Sequence, residues 1–174
     1  MVRASCNVSN RCGGSERLAS FPSEIVLAVA TMLKTVWEGE IRVEPMNVRI
    51  LLVDDNAAIR DRLRILLEDH ADWKICGEAA DGLEAIEKYQ QLKPDLLVVD
   101  VSMPRMNGLD ASLEILKLSP KALILLHTSY LTAQLIEEAH IAGIRATVSK
   151  DFTHLLVAGL ESLLRGEEFS SPAN

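Results

Sequence analysis

The sequence has 174 residues, 48% of them hydrophobic and 25% charged, which is the composition of a globular domain with a core rather than of a disordered chain. This length allows one ordinary domain with a short appendage and excludes two domains of usual size. The formal net charge of −7 argues against a broad nucleic-acid-binding surface and favours a cationic partner or a bound metal ion.

Residues 1–46 differ in character from the rest of the chain. Residues 1–24 are rich in serine, glycine and arginine and have no apolar period, which predicts irregular or disordered structure. A short helix is predicted over residues 24–37, and its most apolar stretch, residues 25–33, is too short to span a membrane. Met46 stands directly before the first regular pattern. Two explanations of residues 1–46 therefore stay open: a flexible N-terminal extension or a mis-assigned translation start.

From residue 47 onward, short apolar runs alternate with amphipathic helical patterns. The predicted strands are residues 48–53, the neighbourhood of Ile75, and residues 96–99, 122–126 and 146–148. The predicted helices carry apolar side chains at helical spacing over residues 59–67, 83–89, 109–116, 131–139 and 155–164. Five strands alternating with five helices predict right-handed crossovers and a parallel sheet covered on both faces. The unbroken apolar runs ILLV, LLVV and LILL agree, since strands buried on both sides need no polar alternation.

Polar side chains follow four of the predicted strands. Asp54 and Asp55 follow the first strand, Asp100 the third, Thr128 the fourth and Lys150 the fifth. Because ligands bind at the carboxyl ends of the strands in open parallel sheets, we expect these side chains to meet. Two like charges about 4 Å apart repel by roughly 4 kcal/mol at an effective dielectric near 20, so the carboxylates need a cation. Oxygen ligands select a hard ion, and the sequence predicts Mg²⁺.

The same set of side chains suggests phosphoryl chemistry. A carboxylate such as Asp100 can attack a phosphoryl group and form an aspartyl phosphate. The metal ion, the Lys150 ammonium and the Thr128 hydroxyl would then neutralise and hydrogen-bond the phosphoryl oxygens.

Four segments read in order, ILLVDDN, PDLLVVDVSMPRMNGLD, LLHTSY and VSKD, resemble the response-regulator receiver domain of two-component signalling over residues 47–166. The resemblance implies a flavodoxin-like, doubly wound α/β fold with a five-stranded parallel sheet in the order 2-1-3-4-5. Pro104 and Gly108 match the family's tight loop after the phosphorylated aspartate, where the glycine is expected to supply backbone angles that are costly for other residues.

The resemblance also assigns roles to six positions. They are Asp100 as the phosphoryl acceptor, Asp54, Asp55, Asp100 and the backbone carbonyl of Ser102 as Mg²⁺ ligands, Thr128 as the switch hydroxyl and Lys150 as the phosphate-pairing lysine. Such a protein catalyses its own phosphorylation and dephosphorylation and is not a metabolic enzyme.

The partners and location follow from the same resemblance. The phosphodonor would be a sensor histidine kinase or a phosphotransfer protein, and the output partner a second copy or a downstream protein, in the cytoplasm and away from membranes. Residues 167–174 resemble the linker that leads to a DNA-binding domain in NarL/FixJ-type regulators. Because no basic helical module follows, we expect no direct contact of this chain with nucleic acid, and the output domain would be absent.

Two departures keep other interpretations open. Thr147 stands where the family usually has tyrosine or phenylalanine, which leaves a degenerate receiver that acts as a phosphorylation-independent interaction module. A phosphatase or phosphotransferase of the haloacid-dehalogenase type would carry a second aspartate two residues after the first, and Ser102 stands there. His127 is unusual because it ends an otherwise apolar strand beside Thr128; we expect all four histidines to be structural or exposed. The three cysteines predict reduced thiols and no disulfide bridge.

Overall fold

A computed structural model describes residues 47–173, so the predictions for residues 1–46 lie outside the described part of the chain. The strands are β1 (Val48–Val53), β2 (Trp73–Ala79), β3 (Leu96–Val99), β4 (Leu123–Thr128), β5 (Ala146–Ser149) and β6 (Phe169–Ser170). The α-helices are α1 (Ala57–Glu68), α2 (Gly82–Leu92), α3 (Gly108–Leu118), α4 (Ala133–Ile141) and α5 (Leu156–Leu164). A 3-10 helix over Lys150–Leu155 precedes α5.

The strands form one parallel sheet in the order β2-β1-β3-β4-β5-β6. The predicted flavodoxin-like α/β fold is confirmed, as is the order of its first five strands. The sixth strand was not predicted, because it has only two residues and lies in a polar segment without an apolar run. It lengthens the sheet beside β5, where Ala146 pairs with Phe169 and Thr147 with Ser170.

Alternate side chains of the central strands pack into two cores on opposite faces of the sheet. Ile50 and Leu52 point to the core that α1 and α5 cover. Leu51 and Val53 point to the core that α2, α3 and α4 cover. Both sets are almost fully buried, which explains why the strands read as unbroken apolar runs.

Polar side chains fix where the helices begin. Asn56, Asp81, Asn107 and Thr132 cap α1, α2, α3 and α4 by accepting hydrogen bonds from backbone N–H groups in the first turn. Asn56 takes this role at α1, so neither Asp54 nor Asp55 caps that helix. The two aspartates therefore remain available at the end of β1.

Strands β4 and β5 extend further than their apolar runs. β4 includes His127 and Thr128, and β5 includes Ser149, so Thr128 pairs with Ser149 at the carboxyl edge of the sheet. Lys150 follows at once and begins the 3-10 helix. None of the helices in residues 47–173 has the length and apolar content that a membrane span requires.

Candidate metal and phosphoryl-acceptor site

The carboxylates that the sequence singled out meet at the carboxyl edge of the sheet. Asp54 and Asp55 follow β1 and Asp100 follows β3, the strand next to it. One side-chain oxygen of each lies within 4.8 Å of the other two. Asp54 and Asp100 are buried, whereas Asp55 is exposed. The site is thus a small acidic pocket with one side open.

Lys150 is the cation that lies in this pocket. Its Nζ is 2.7 Å from Asp54 Oδ2 and 2.9 Å from Asp100 Oδ2. Burial lowers the pKa of Lys150, but hydrogen bonds and charge interactions with Asp54 and Asp100 outweigh that effect and leave the pKa raised. Lys150 therefore stays charged at neutral pH and balances part of the negative charge.

Asp100 is held by two donors. Its Oδ2 accepts from Lys150, and its Oδ1 accepts from the backbone N–H of Ser102 at 3.3 Å. Burial raises the pKa of Asp100, the charge of Asp54 adds to that increase, and the hydrogen bonds from Lys150 and Ser102 oppose it. The two donors fix the orientation of the Asp100 carboxylate.

The chemistry of the donor set fits a divalent cation. Asp54 Oδ1 accepts from the backbone N–H of Asn56 at 2.9 Å, which fixes the carboxylate. Its Oδ2 is fully buried, and the Lys150 ammonium lies against it at 2.7 Å. An oriented carboxylate oxygen of this kind, beside two further carboxylates, suits Mg²⁺. Asp54, Asp55 and Asp100 could hold the ion, and the carbonyl of Ser102 stays a predicted ligand.

Thr128 lies at the end of β4, between the ends of β3 and β5. The residue is completely buried, and its Oγ1 accepts from the backbone N–H of Tyr130 at 3.3 Å. The structure therefore brings Asp54, Asp55, Asp100, Thr128 and Lys150 to one edge of the sheet, as expected from the sequence. Their assigned roles in phosphoryl transfer stay predictions.

Gly108 shapes the loop after Asp100, but for a different reason from the one expected. Its φ is not positive; within the described chain the positive φ of this loop belongs to Arg105, at 63°. A Cβ atom at position 108 would lie only 1.8 Å from the backbone oxygen of Asp100. The glycine is needed because the start of α3 packs directly against the backbone of Asp100.

Sequence reasoning missed an ion pair that ties the same loop to α2. The guanidinium of Arg105 contacts the buried carboxylate of Asp81, which also caps α2. Nearby, the N–H of Gly82 donates to the carbonyl of Met106 at 3.2 Å. Nothing in the sequence spacing indicated that the aspartate that caps α2 also holds this loop.

Thr147 is buried in β5 and its hydroxyl donates to Ser170 Oγ at 3.0 Å. Next to it, the N–H of Ser149 donates to Ser171 Oγ at 2.9 Å. The position that is usually aromatic in receivers is thus bonded to β6 in this chain.

Fold and site together define a class: a flavodoxin-like α/β protein with an acidic, lysine-containing pocket at the carboxyl edge of its sheet. The family model described as the response regulator receiver domain matches residues 50–158, which is more than half of the chain. The chain belongs to the response regulator receiver family, whose members act in two-component phosphorelay signalling.

Known relatives agree with this assignment. The chemotaxis protein CheY of Thermotoga maritima is 40% identical over 107 residues, which cover 62% of this chain and 88% of that protein. A protein-glutamate methylesterase/protein-glutamine glutaminase of Pyrococcus abyssi is 46% identical over 80 residues, covering 46% of this chain but only 22% of the relative. The chain therefore matches less than a quarter of that enzyme.

Solved structures give the same answer. The crystal structure of a two-component response regulator of the LuxR family from Aurantimonas sp. SI85-9A1 has a TM-score of 0.69 and 33% identity. The match covers 71% of this chain and 89% of that one.

Proposed function

We propose that this protein accepts a phosphoryl group on Asp100 in a Mg²⁺-dependent reaction and that the modification switches a protein-interaction surface. The phosphodonor would be a histidine kinase or a phosphotransfer protein in the cytoplasm. The observation that carries the proposal is the arrangement of Asp100 between the Lys150 ammonium and two further carboxylates in one pocket. Such a pocket offers a nucleophile, a cation to pair with phosphoryl oxygens and ligands for a metal ion.

The proposed transfer is a substitution at phosphorus. A carboxylate oxygen of Asp100 forms a bond to phosphorus, and the bond from phosphorus to the donor atom breaks. Lys150 Nζ lies 2.9 Å from Asp100 Oδ2, which is either the oxygen that would be phosphorylated or the other oxygen of the same carboxylate. In both cases the ammonium could pair with the incoming phosphoryl group. Bound Mg²⁺ would supply further neutralisation of the phosphoryl oxygens. The buried Thr128 hydroxyl, on the neighbouring strand, is the donor that could turn towards the product.

Phosphorylation adds about −1.5 to −2 charges and three acceptor oxygens to the pocket. We infer that reorientation of Thr128 and Lys150 changes the packing of α4, β5 and α5, and that this surface binds the output partner. The partner would be a second copy of the chain or another protein. This change would reach the surface without the usual rotation of an aromatic side chain, because position 147 is a threonine that is buried and bonded to Ser170.

That same contact supports a second candidate function, a receiver that acts as a phosphorylation-independent interaction module. The two candidates differ in one measurable respect. Hydrogen exchange of α4 and β5 should slow or accelerate on addition of Mg²⁺ and beryllofluoride if the chain is a phosphorylation switch. Unchanged exchange under saturating beryllofluoride would favour the interaction module.

The acceptor itself can be tested with a small phosphodonor. Incubation with Mg²⁺ and acetyl phosphate should add one phosphoryl group to the protein, as seen by intact-mass measurement, and Asp100→Asn should abolish the addition. Asp72→Asn is a matched control, because Asp72 is exposed and precedes β2 at the opposite edge of the sheet. Equal phosphorylation of Asp100→Asn and Asp72→Asn would refute the proposal.

A further inference from the structure

His127 occupies an unusual place beside the site. It is the fifth residue of β4, directly before Thr128, and it is 2% exposed in a strand whose preceding four residues are all apolar. A buried imidazole costs free energy unless its polar atoms are paired. Its Nδ1 is fully buried without a hydrogen-bond partner among residues 47–173. An apolar side chain would fit this position at lower cost, so the imidazole calls for an explanation.

The other ring nitrogen, Nε2, is linked to the backbone of Lys150 through Thr153. His127 Nε2 lies 3.1 Å from Thr153 Oγ1, and the Thr153 hydroxyl donates to the backbone carbonyl of Lys150 at 2.7 Å. A threonine hydroxyl has a single proton, and here the carbonyl of Lys150 receives it. The oxygen of Thr153 must therefore accept from His127, which places the imidazole proton on Nε2. The result is a directed chain of two hydrogen bonds from the end of β4 to the backbone of Lys150.

The chain of hydrogen bonds holds a segment that lacks regular helical geometry. Lys150 begins the 3-10 helix, and Phe152 within it departs from helical angles, with φ −114° and ψ 35°. Burial and, to a smaller degree, the charge of Lys150 lower the pKa of His127 to about 4, so the ring stays neutral and keeps one donor at physiological pH.

We propose that His127 is a positioning residue that acts through Thr153 to hold Lys150 in place, with its ammonium against Asp54 and Asp100 before a phosphoryl group arrives. The inference rests on the proposed function, because its catalytic consequence is the rate of phosphoryl transfer to Asp100. His127 itself touches none of the reacting atoms. Its contribution is to restrict where the backbone of Lys150 can move.

The two hydrogen bonds that link His127 through Thr153 to Lys150 are called the relay below. Two substitutions at Thr153 test the relay with little change in side-chain volume. Thr153→Val removes the hydroxyl and keeps the shape, and Thr153→Ser keeps the hydroxyl. At saturating Mg²⁺ and limiting acetyl phosphate, we expect Thr153→Val to reduce the phosphorylation rate by about tenfold, which is a modest loss of positioning. We expect Mg²⁺ affinity to stay within about twofold, because the carboxylates are intact, and Thr153→Ser to retain the wild-type rate.

Substitutions of His127 should give the same pattern. His127→Leu removes the donor, whereas His127→Gln offers an amide N–H in its place and should retain more of the rate. Because both residues act through one chain of hydrogen bonds, the double variant His127→Leu with Thr153→Val should be no slower than either single variant. Additive losses would show that the two residues act separately and would overturn the relay.

A destabilised control separates positioning from simple loss of stability. Ile75→Val lies in the core at β2, away from the site, and is expected to lower stability by removal of one methylene group without changing the rate. Nitrogen-15 NMR of the resting protein adds a readout that needs no phosphorylation. It should show His127 protonated at Nε2, with a shift of that resonance in Thr153→Val.

The outcomes are distinguishable. If the wild type is phosphorylated on Asp100 and Thr153→Val keeps the full rate, the positioning role is overturned and the proposed function stands. If NMR finds the proton on Nδ1, the relay is overturned as well. If the wild type accepts no phosphoryl group with Mg²⁺ and acetyl phosphate, the proposed function is overturned, and the positioning role in phosphoryl transfer with it.

Discussion

At the scale of single residues, Lys150 balances the carboxylates of the resting site and would also pair with an incoming phosphoryl group. Its ammonium contacts Asp54 and Asp100 at 2.7 and 2.9 Å and balances their charge in the resting site. A metal ion would need oxygens of the same carboxylates. The lysine therefore opposes metal binding electrostatically, while it favours pairing with a phosphoryl group.

The first prediction concerns Lys150→Met. Without the ammonium, the three carboxylates repel one another more strongly, so the free protein should be less stable and Mg²⁺ should stabilise it more than it stabilises the wild type. The rate of phosphorylation by acetyl phosphate should fall by about a hundredfold, because a charge that pairs with the phosphoryl oxygens is lost. Thermal unfolding with and without Mg²⁺ measures the first effect; an Mg²⁺-induced shift smaller than that of the wild type would contradict it.

His127 gives a prediction for pH dependence. Its pKa in the folded protein, about 4, is below the usual 6.5, so the unfolded chain binds a proton first as the pH falls. The contribution of His127 to stability is complete above about pH 6.5 and is lost as the pH falls towards 4, by at most about 3 kcal/mol.

The variant His127→Gln does not titrate in that range. Urea unfolding at about pH 7 and about pH 4.5 should therefore show a larger loss of stability for the wild type than for His127→Gln. Equal losses in the two proteins would mean that the imidazole is protonated as easily in the folded as in the unfolded chain.

At the scale of secondary-structure elements, the start of α3 is held unusually close to the backbone of Asp100. Gly108 donates its N–H to the carbonyl of Val101 at 2.9 Å, and a Cβ atom there would collide with the backbone of Asp100. The ion pair between Arg105 and Asp81 fixes the same loop from the side of α2. The loop after β3 is thus restrained at both ends.

Gly108→Ala should therefore disturb the position of Asp100, the proposed phosphoryl acceptor, more than the fold. The clash is with backbone rather than with a flexible side chain, so α3 or Asp100 must shift. We expect loss of most phosphorylation by acetyl phosphate together with a decrease of 1–3 kcal/mol, to order of magnitude, in the free energy of unfolding. A variant with the wild-type phosphorylation rate would show that the close approach has no role in the site.

The residue that follows β6 gives the next prediction. Ser171 is buried, and its Oγ accepts from the N–H of Ser149, one residue before Lys150. Ser171→Ala leaves that buried N–H without its acceptor and should lower the free energy of unfolding by about 1–3 kcal/mol. Ser170→Ala is the comparison, because Ser170 is exposed and bonds only a side chain, Thr147, among the contacts described above. A smaller loss in Ser171→Ala than in Ser170→Ala would contradict this.

At the scale of the whole molecule, the alternation of apolar runs and helical stripes predicted most of the fold. β1, β3 and β4 lie where the unbroken apolar runs are, because these strands are buried on both faces of the sheet. The meeting of Asp54, Asp100 and Lys150 was predictable as well, because parallel strands bring their carboxyl ends to one edge.

Other features depend on contacts that no local pattern encodes. β6 has only two residues, yet it forms because Phe169 packs into the core and because Ser170 and the following Ser171 bond to β5. Arg105 and Asp81 are 24 positions apart, and His127 and Thr153 are 26 positions apart. Both contacts depend on side-chain directions that follow only from the assembled fold. Spacing alone could mark His127 as unusual but could not supply its partner.

The net charge is also a property of the whole molecule. The charged residues of positions 1–46 balance, so the formal −7 belongs to the residues that follow. A phosphoryl group makes this part of the chain more negative still. We therefore expect the phosphorylated form to favour output partners with a basic contact surface.

The central claim is that Asp100 takes up a phosphoryl group when Mg²⁺ is present. The most direct measurement is reduction of the acetyl-phosphate-treated protein with borohydride, which converts an aspartyl phosphate into homoserine, followed by peptide mass spectrometry. Homoserine should be found at position 100 in samples with Mg²⁺ and should be absent after chelation by EDTA. Homoserine at another aspartate, or equal conversion of Asp100 with and without Mg²⁺, would contradict the account.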